Sequence, residues 1–262
     1  MNGLTRRAIA TDYALMELGS ERFNAEGATF IRNPWVPLIR DANQVIGVGA
    51  SSADEIDALL ARADREYAGS PHRQFRLDFT ASPEFEARLV LEGYERDESL
   101  VLVLEDELRG EARSHDIRPV TDDASWRDYS SLHDADWRER AETIPGGIDA
   151  RVVEQMLRSR RAKSPPVRYW LACVDGEPRA YVASWEGVDG VGQVEDLFTH
   201  QEFRHRGLAA ALIHHGVADC RARGAGPVVI VGDTADTPKR MYAAMGFRPV
   251  AVSRTYRKEL GR

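Results

Sequence analysis

Cysteine is scarce: Cys173 and Cys220 are the two cysteines in 262 residues. They make neither a disulfide framework nor the paired spacing of a zinc site, and the expected compartment is a reducing cytoplasm. Lysine is nearly absent, limited to Lys163, Lys239 and Lys258, so arginine carries almost all the positive charge. Positive charge is itself in deficit. Lys and Arg number 35 against 42 Asp and Glu, a formal net charge of −7. That balance speaks against nucleic acid as the main partner and weakly favours a cationic substrate. Long apolar runs are also missing. None approaches the ~18 residues that would cross a bilayer. The apolar stretch after Arg6 and Arg7 is broken by Asp12 and Glu17, unlike a signal peptide. No membrane partner is expected.

What is there is an ordinary globular composition, 43% hydrophobic and 29% charged, which argues against extensive disorder. The length suits two domains of roughly 100–150 residues. Residues 1–22 read as a helix, and Gln44 to Val48 as a strand. Ser52 with Glu55 three residues later forms a capping-box pattern that opens a helix to about Tyr67. Phe75 to Phe79 alternates like a strand. Pro83 to Glu92 is helical, Gly93 stops it, and Leu100 to Leu104 is a strongly apolar strand. Glu105 to His115 is charged and apolar-poor, and the domain boundary is placed there: 1–110 and 115–262.

The second part opens with a strand at Ile117 to Val120, then helices from Thr121 to about Arg140 and from Ala150 to Arg161. Three strands follow, Tyr169–Val174, Arg179–Glu186 and Val191–Thr199, with a turn at Asp175-Gly176, as an antiparallel meander. A helix from about Gly207 to Arg223, a strand Val228–Val231, and a helix capped by Asp236 or Thr237 with Pro238 in its first turn complete the order. Two short strands close the chain after Phe247. This order defines an α+β domain with one parallel crossover.

The stretch from Thr199 to Ala209 joins a strand to a helix and suits an anion. Gly207 lets the backbone turn closely, and Ala209 and Ala210 keep the helix start uncrowded. N–H groups of the first turn point outward, where the dipole adds positive potential, so a pyrophosphate is a natural guest. Arg204 and Arg206 add charge and forked donors. Later, Tyr242 lies one helical turn before Gly246-Phe247.

These two elements resemble the GNAT superfamily of N-acetyltransferases. Arg204-x-x-Gly207-x-Ala209 is similar to that family's acetyl-CoA loop, and Tyr242 with Gly246-Phe247 is similar to its closing helix. The resemblance covers about 115–262. It implies acetyl-CoA as co-substrate, with no metal. Main-chain groups of Leu197, Phe198 and Thr199 would pair with the pantetheine arm. Backbone N–H groups of Arg204, His205, Arg206, Gly207, Leu208 and Ala209 would hold the pyrophosphate. Tyr242 would reprotonate the departing thiolate. An unperturbed phenol of pKa ~10 is protonated at neutral pH, as a donor must be.

A base is needed to deprotonate an ammonium substrate. Gln193 stands where some family members carry the base, and it cannot serve as one. Glu195 is the first candidate and Asp196 the second. As neighbours on a strand they should face opposite sides, unless a β-bulge reverses the order; either can instead bind a cationic amine. Ala235 stands where the family often has asparagine, so that cofactor contact is lost or passes to Asp233, Thr234 or Asp236. His205, His214 and His215 read as solvated polar positions and not as metal ligands.

Residues 83–104 echo the end of the second half, with Leu89 where Tyr242 stands. This suggests two GNAT-like folds in tandem, each a mixed, mostly antiparallel sheet flanked by helices, with a degenerate first copy that stabilises the active half or walls its substrate cleft. Gln44-x-x-Gly47-x-Gly49 fits the cofactor pattern literally. Because the helix cap comes only at Ser52 and no arginine accompanies it, the match is taken as chance. The leading function is acetyl transfer to the amine of a small molecule or peptide. The rival is a non-catalytic acyl-CoA-binding sensor or interaction module.

Overall fold

The computed structural model describes residues 3–111, 113–144, 146–235 and 238–260. Its elements in chain order are α1 (Gly3–Glu17), β1 (Glu21–Ala25), β2 (Ala28–Arg32), β3 (Gln44–Ile46), α2 (Ala53–Glu66), β4 (His72–Leu77), α3 (Pro83–Leu91) and β5 (Glu95–Leu104). After a connection come β6 (Asp116–Pro119), α4 (Asp123–Thr143), α5 (Ala150–Ala162), β7 (Arg168–Val174), β8 (Glu177–Val188) and β9 (Val191–Thr199). The chain ends with α6 (Leu208–Ala222), β10 (Val228–Asp233), α7 (Pro238–Ala244) and β11 (Arg248–Glu259). Helix starts follow their caps. Ser52 and Glu55 make the expected reciprocal box, Ser82 caps α3 ahead of Pro83, and Asp122 caps α4. Asp236 and Thr237, expected to cap α7, lie outside the described residues.

Among the described residues, eleven strands form one sheet in the order β1-β2-β3-β4-β11-β5-β10-β9-β8-β7-β6. It is mixed and mostly antiparallel, with parallel pairing between β3 and β4 and between β9 and β10. Read from either end, a parallel pair is followed by a strand from the other half of the chain. β11 pairs with β4, and β5 pairs with β10. The two expected sheets are therefore joined into one through exchanged closing strands. The end of β5 is suited to this central place because both its faces are buried there: Leu102 and Leu104 meet α6 and α7, while Val101 and Val103 meet α1.

Two local expectations are corrected. The stretch expected to be one helix to residue 22 ends at Glu17 and continues as the hairpin β1–β2, whose turn residues Glu26 and Gly27 both have positive φ. The two strands expected after Phe247 are one long strand, β11, interrupted by a register shift between Pro249 and Ala251.

Helix α1 ties the halves together. Met16 packs with Ile31 and Ile46 of the first half, and Leu4 and Ala8 pack with Val191 and Val229 of the second. The β8–β9 hairpin closes so tightly beside this helix that Gly187 is required. A Cβ there would stand 1.8 Å from the Val191 carbonyl oxygen and 2.8 Å from Thr11 Cγ2, at a φ of +71° that favours glycine. Among the described residues, no helix is long and apolar enough to cross a membrane.

Candidate active site

β9 and β10 pair only at Gly192–Val228 and Gln193–Val229. Beyond that point β9 stays with β8 as far as Thr199, and β10 stays with β5 as far as Asp233. The two strands part and leave a wedge that opens into a cavity of about 350 Å³. Glu195, Asp196 and Leu197 line one side, and Gly232 and Tyr242 line the other. Backbone groups of β9 past Gln193 that face β10 have no ladder partner there, so an extended ligand can pair with them.

The two carboxylates do not face opposite sides as simple alternation requires. Tyr181 pairs with Phe198 and Ala183 with Glu195, so β9 carries an extra residue where β8 advances by two. This is a β-bulge. Asp196 takes the strain, at φ +55°, a region entered more readily by Asp than by most residues. The bulge turns both carboxylates toward the cavity.

Their partners differ. Asp196 Oδ1 accepts from Arg160 at 2.6 Å. Arg160 is buried on α5, its guanidinium lying over the Tyr181 ring. The Tyr181 hydroxyl in turn donates to Asp136 Oδ2 at 2.7 Å, and Arg140 binds the other oxygen of Asp136. Asp196 is thus matched by a fixed cation. Among the described residues, no cation pairs with Glu195. Its Oε2 accepts from Gln193 Nε2 at 3.0 Å. Burial, then the Asp196 and Asp12 carboxylates, push its pKa up to about 8, against smaller opposing effects of the Gln193 hydrogen bond and of Arg76. A carboxyl poised near neutrality is what proton transfer to or from a substrate requires.

Tyr242 is buried on α7 across the wedge, its ring against Phe247. A Cβ at Gly232 would stand 3.6 Å from that ring, so a small residue on β10 leaves the phenol its place. Ala235 N–H donates to Asp233 Oδ1 at 2.7 Å, and Thr234 Oγ1 donates to the Glu98 carbonyl. Asp236 lies outside the described residues.

The segment from Arg204 to Ala209 turns sharply. His205 and Gly207 have φ of +62° and +87°, and Gly207 is the N-cap of α6, with no side chain bonded to the helix end. The first-turn N–H groups therefore remain available for an anion. The arginines are disposed differently from the sequence expectation. Arg204 bonds the Thr199 carbonyl and pairs with Glu139, and Arg206 stacks on Phe203. Leu208 is core and Ala209 is half-buried. His215 packs edge-on against Trp170, ring centres 4.2 Å apart.

The first half carries the same geometry in a closed form. β3 and β4 pair in parallel only at Val45–Phe75 and Ile46–Arg76 before α2 begins. There the Glu55 carboxylate accepts from the N–H groups of Ser51 and Ser52, both at 3.0 Å. Those hydrogen bonds hold its pKa down to about 2. A side-chain anion already occupies the donors a phosphate would use. Leu89 is core, and Gln44 bonds the Asp41 carbonyl. Calorimetric titration should therefore give one CoA per chain; two per chain, or density for CoA near Gly47, would contradict this.

Sequence reasoning missed the residues that reach the cavity from elsewhere: Asp41, Asp136 and Arg160 line it, while Asp12 and Arg76 stand behind Glu195. None sits in a motif.

Residues 126–247 match the acetyltransferase (GNAT) family model. This segment, a little under half of the chain, is similar to the GNAT acetyltransferases, a likeness that supports acyl transfer in general. Among solved structures it resembles a conserved protein from Staphylococcus epidermidis described as functionally unknown, at 17% identity and TM-score 0.71, over 92% of this chain and 95% of that one. It also resembles a GCN5-related N-acetyltransferase from Kribbella flavida, at 18% identity and TM-score 0.69, over 100% and 97%. A tandem GNAT protein from the clavulanic acid biosynthesis pathway aligns at 14% identity and TM-score 0.58, over 84% and 76%. At these identities the likeness establishes the fold. No curated protein matches the chain.

Proposed function

We propose that the protein transfers an acetyl group from acetyl-CoA to a primary amine of a small molecule or peptide. Glu195 takes the proton and Tyr242 gives one. The observation that carries this reading is the wedge between β9 and β10, with an acidic carboxyl on one wall and a phenol on the other. Bound acetyl-CoA would supply the thioester. Backbone groups of Leu197, Phe198 and Thr199 would align the pantetheine arm as an added strand, and the N–H groups of the Gly207 turn would meet the pyrophosphate. Glu195 accepts a proton from the substrate ammonium: an N–H bond breaks, an O–H bond forms, and the nitrogen lone pair is freed to attack. The nitrogen would form the C–N bond as the C–S bond breaks, the Tyr242 hydroxyl would give its proton to the leaving sulfur, and the second proton shed by that nitrogen would restore the phenol. On this reading 115–262 is the acetyl-CoA-binding unit and 1–110 a degenerate copy whose own phosphate position is closed by Glu55.

The pH–rate profile of Glu195→Gln tests the base. In the wild type the acidic limb should fall near the Glu195 value of about 8. Without it, activity should follow the free-amine fraction, toward the ~10.4 of a lysine-like amine. Asp196→Asn is the control and should keep an acidic limb, moved to lower pH because the Asp196 carboxylate is one of the groups that raise Glu195. The reverse pattern would assign the proton to Asp196. The sign of the stability effect is also fixed. A folded value above 4.5 means a contribution present below about 4.5 and lost as pH rises through about 8, so Glu195→Gln should flatten that part of the thermal-midpoint curve.

A further inference from the structure

The Gln193 side chain makes two hydrogen bonds with the same nitrogen. Nε2 donates to Glu195 Oε2 at 3.0 Å and to Asp12 Oδ1 at 3.2 Å. The two carboxylate oxygens therefore lie within about 6 Å of each other, although Asp12 is on α1, at the other end of the chain. Asp12 is 2% exposed. Its other oxygen, Oδ2, meets an Arg76 terminal nitrogen at 2.6 Å, and Arg76 is itself buried on β4. Docking of α1 does not need this ion pair: Leu4, Ala8, Leu15 and Met16 bury the apolar face of the helix, and Thr11 bonds the Val191 carbonyl. Removing two charges from water costs several kcal/mol per ion, so the pair is a weak source of stability. It does give direction, because a buried, doubly held carboxylate fixes the amide that fixes Glu195.

We propose that Asp12, clamped by Arg76, is a positioning residue that acts through Gln193 to orient the Glu195 carboxylate in the cleft and couple its charge to the first half of the chain. This rests on the reading of Glu195 as proton acceptor. With Oε2 tied to Gln193, Oε1 is left for the substrate nitrogen. The charged and titratable groups that act on Glu195 come from several elements. They are Asp12 of α1, Arg76 of β4, Asp196 of β9, Lys163 after α5 and Tyr169 of β7, with Arg160 behind Asp196, while Asp41 ahead of β3 acts on Arg76 and Lys163. Arg160 balances Asp196 directly. Asp12 is distinct in reaching Glu195 through a shared hydrogen-bond donor.

Two variants shift the Glu195 titration in opposite directions. Asp12→Asn removes a negative neighbour and leaves Arg76 positive, so the Glu195 proton should be lost at lower pH, by about one unit or more. Gln193→Leu removes the donor that favours the charged form, so the proton should be held to higher pH. The readouts are the acidic limb of the pH–rate profile and the Glu195 carboxyl titration followed by ¹³C NMR in the full-length protein. Glu195→Gln identifies the resonance, and thermal unfolding verifies each variant as folded. A merely structural role would scale the rate without moving either midpoint. If the Glu195 midpoint in Asp12→Asn stays within about 0.3 unit of wild type while Glu195→Gln still loses the limb, the positioning role is overturned and the base assignment stands. If Glu195→Gln keeps the limb, the base assignment falls and the positioning role falls with it. Opposite shifts of both midpoints in the two variants are the result expected.

Discussion

Tyr242→Phe should lower kcat by about 10²–10⁴-fold, the range of a positioned general acid, with little change in the KM for acetyl-CoA. The hydroxyl is needed only as the thiolate leaves, so its loss is felt in the transition state and hardly in binding. The setting favours a clean test. The ring is buried against Phe247 and faces Gly232, and phenylalanine preserves that packing. Steady-state kinetics with a saturating amine provide the measurement. A variant within about twofold of wild type would mean that water donates the proton and that Tyr242 serves packing.

Gly207→Val should abolish acetyl-CoA binding, weakening it by at least about 100-fold, while the protein stays folded. At φ +87° a β-branched residue is a genuine outlier, with a strain of about 1–3 kcal/mol. A Cβ would also press on Arg113 Cδ at 3.2 Å, but that long side chain can move aside. The backbone is the less forgiving part. Rotation out of the left-handed region would redirect the N–H groups that open α6, and those groups are the proposed phosphate donors. Gly207→Ala should fall between. Calorimetry reads the affinity directly, and an unchanged Kd for Gly207→Val would remove the phosphate role from this turn.

Local signals in the sequence were informative in particular places. Val191 to Thr199 was readable as a strand to the residue, and Ser52 with Glu55 announced the helix cap that the structure contains. The motif around Arg204, Gly207 and Ala209 marked the turn into α6, because only glycine reaches that φ without strain. The β1–β2 hairpin was not legible. Its turn is Glu26-Gly27, not Asn-Gly or Asp-Gly, and β1 is largely exposed, so the alternation that identifies a strand is weak.

Strand exchange was beyond reach for a different reason. The apolar run Leu100 to Leu104 says that both faces of β5 are covered, but periodicity carries nothing about which strands lie beside it. The same limit hid half of the candidate site. Asp12, Asp41 and Arg76 lie more than a hundred residues from Glu195 and share no motif with it. Only the path of α1 and the merged sheet brings them together. The bulge at Asp196 moved the remaining piece, since one extra residue changes the face on which every later side chain stands.

The most direct test of acyl transfer is release of free CoA thiol from acetyl-CoA in the presence of a panel of primary amines, with the amine products weighed by mass spectrometry. Acetyl transfer requires thiol release that depends on a particular amine and matches, mole for mole, the appearance of that amine carrying one added acetyl group. Tight binding of acetyl-CoA with no amine raising thiol release above the rate of simple hydrolysis would contradict it and make the protein an acyl-CoA-binding module.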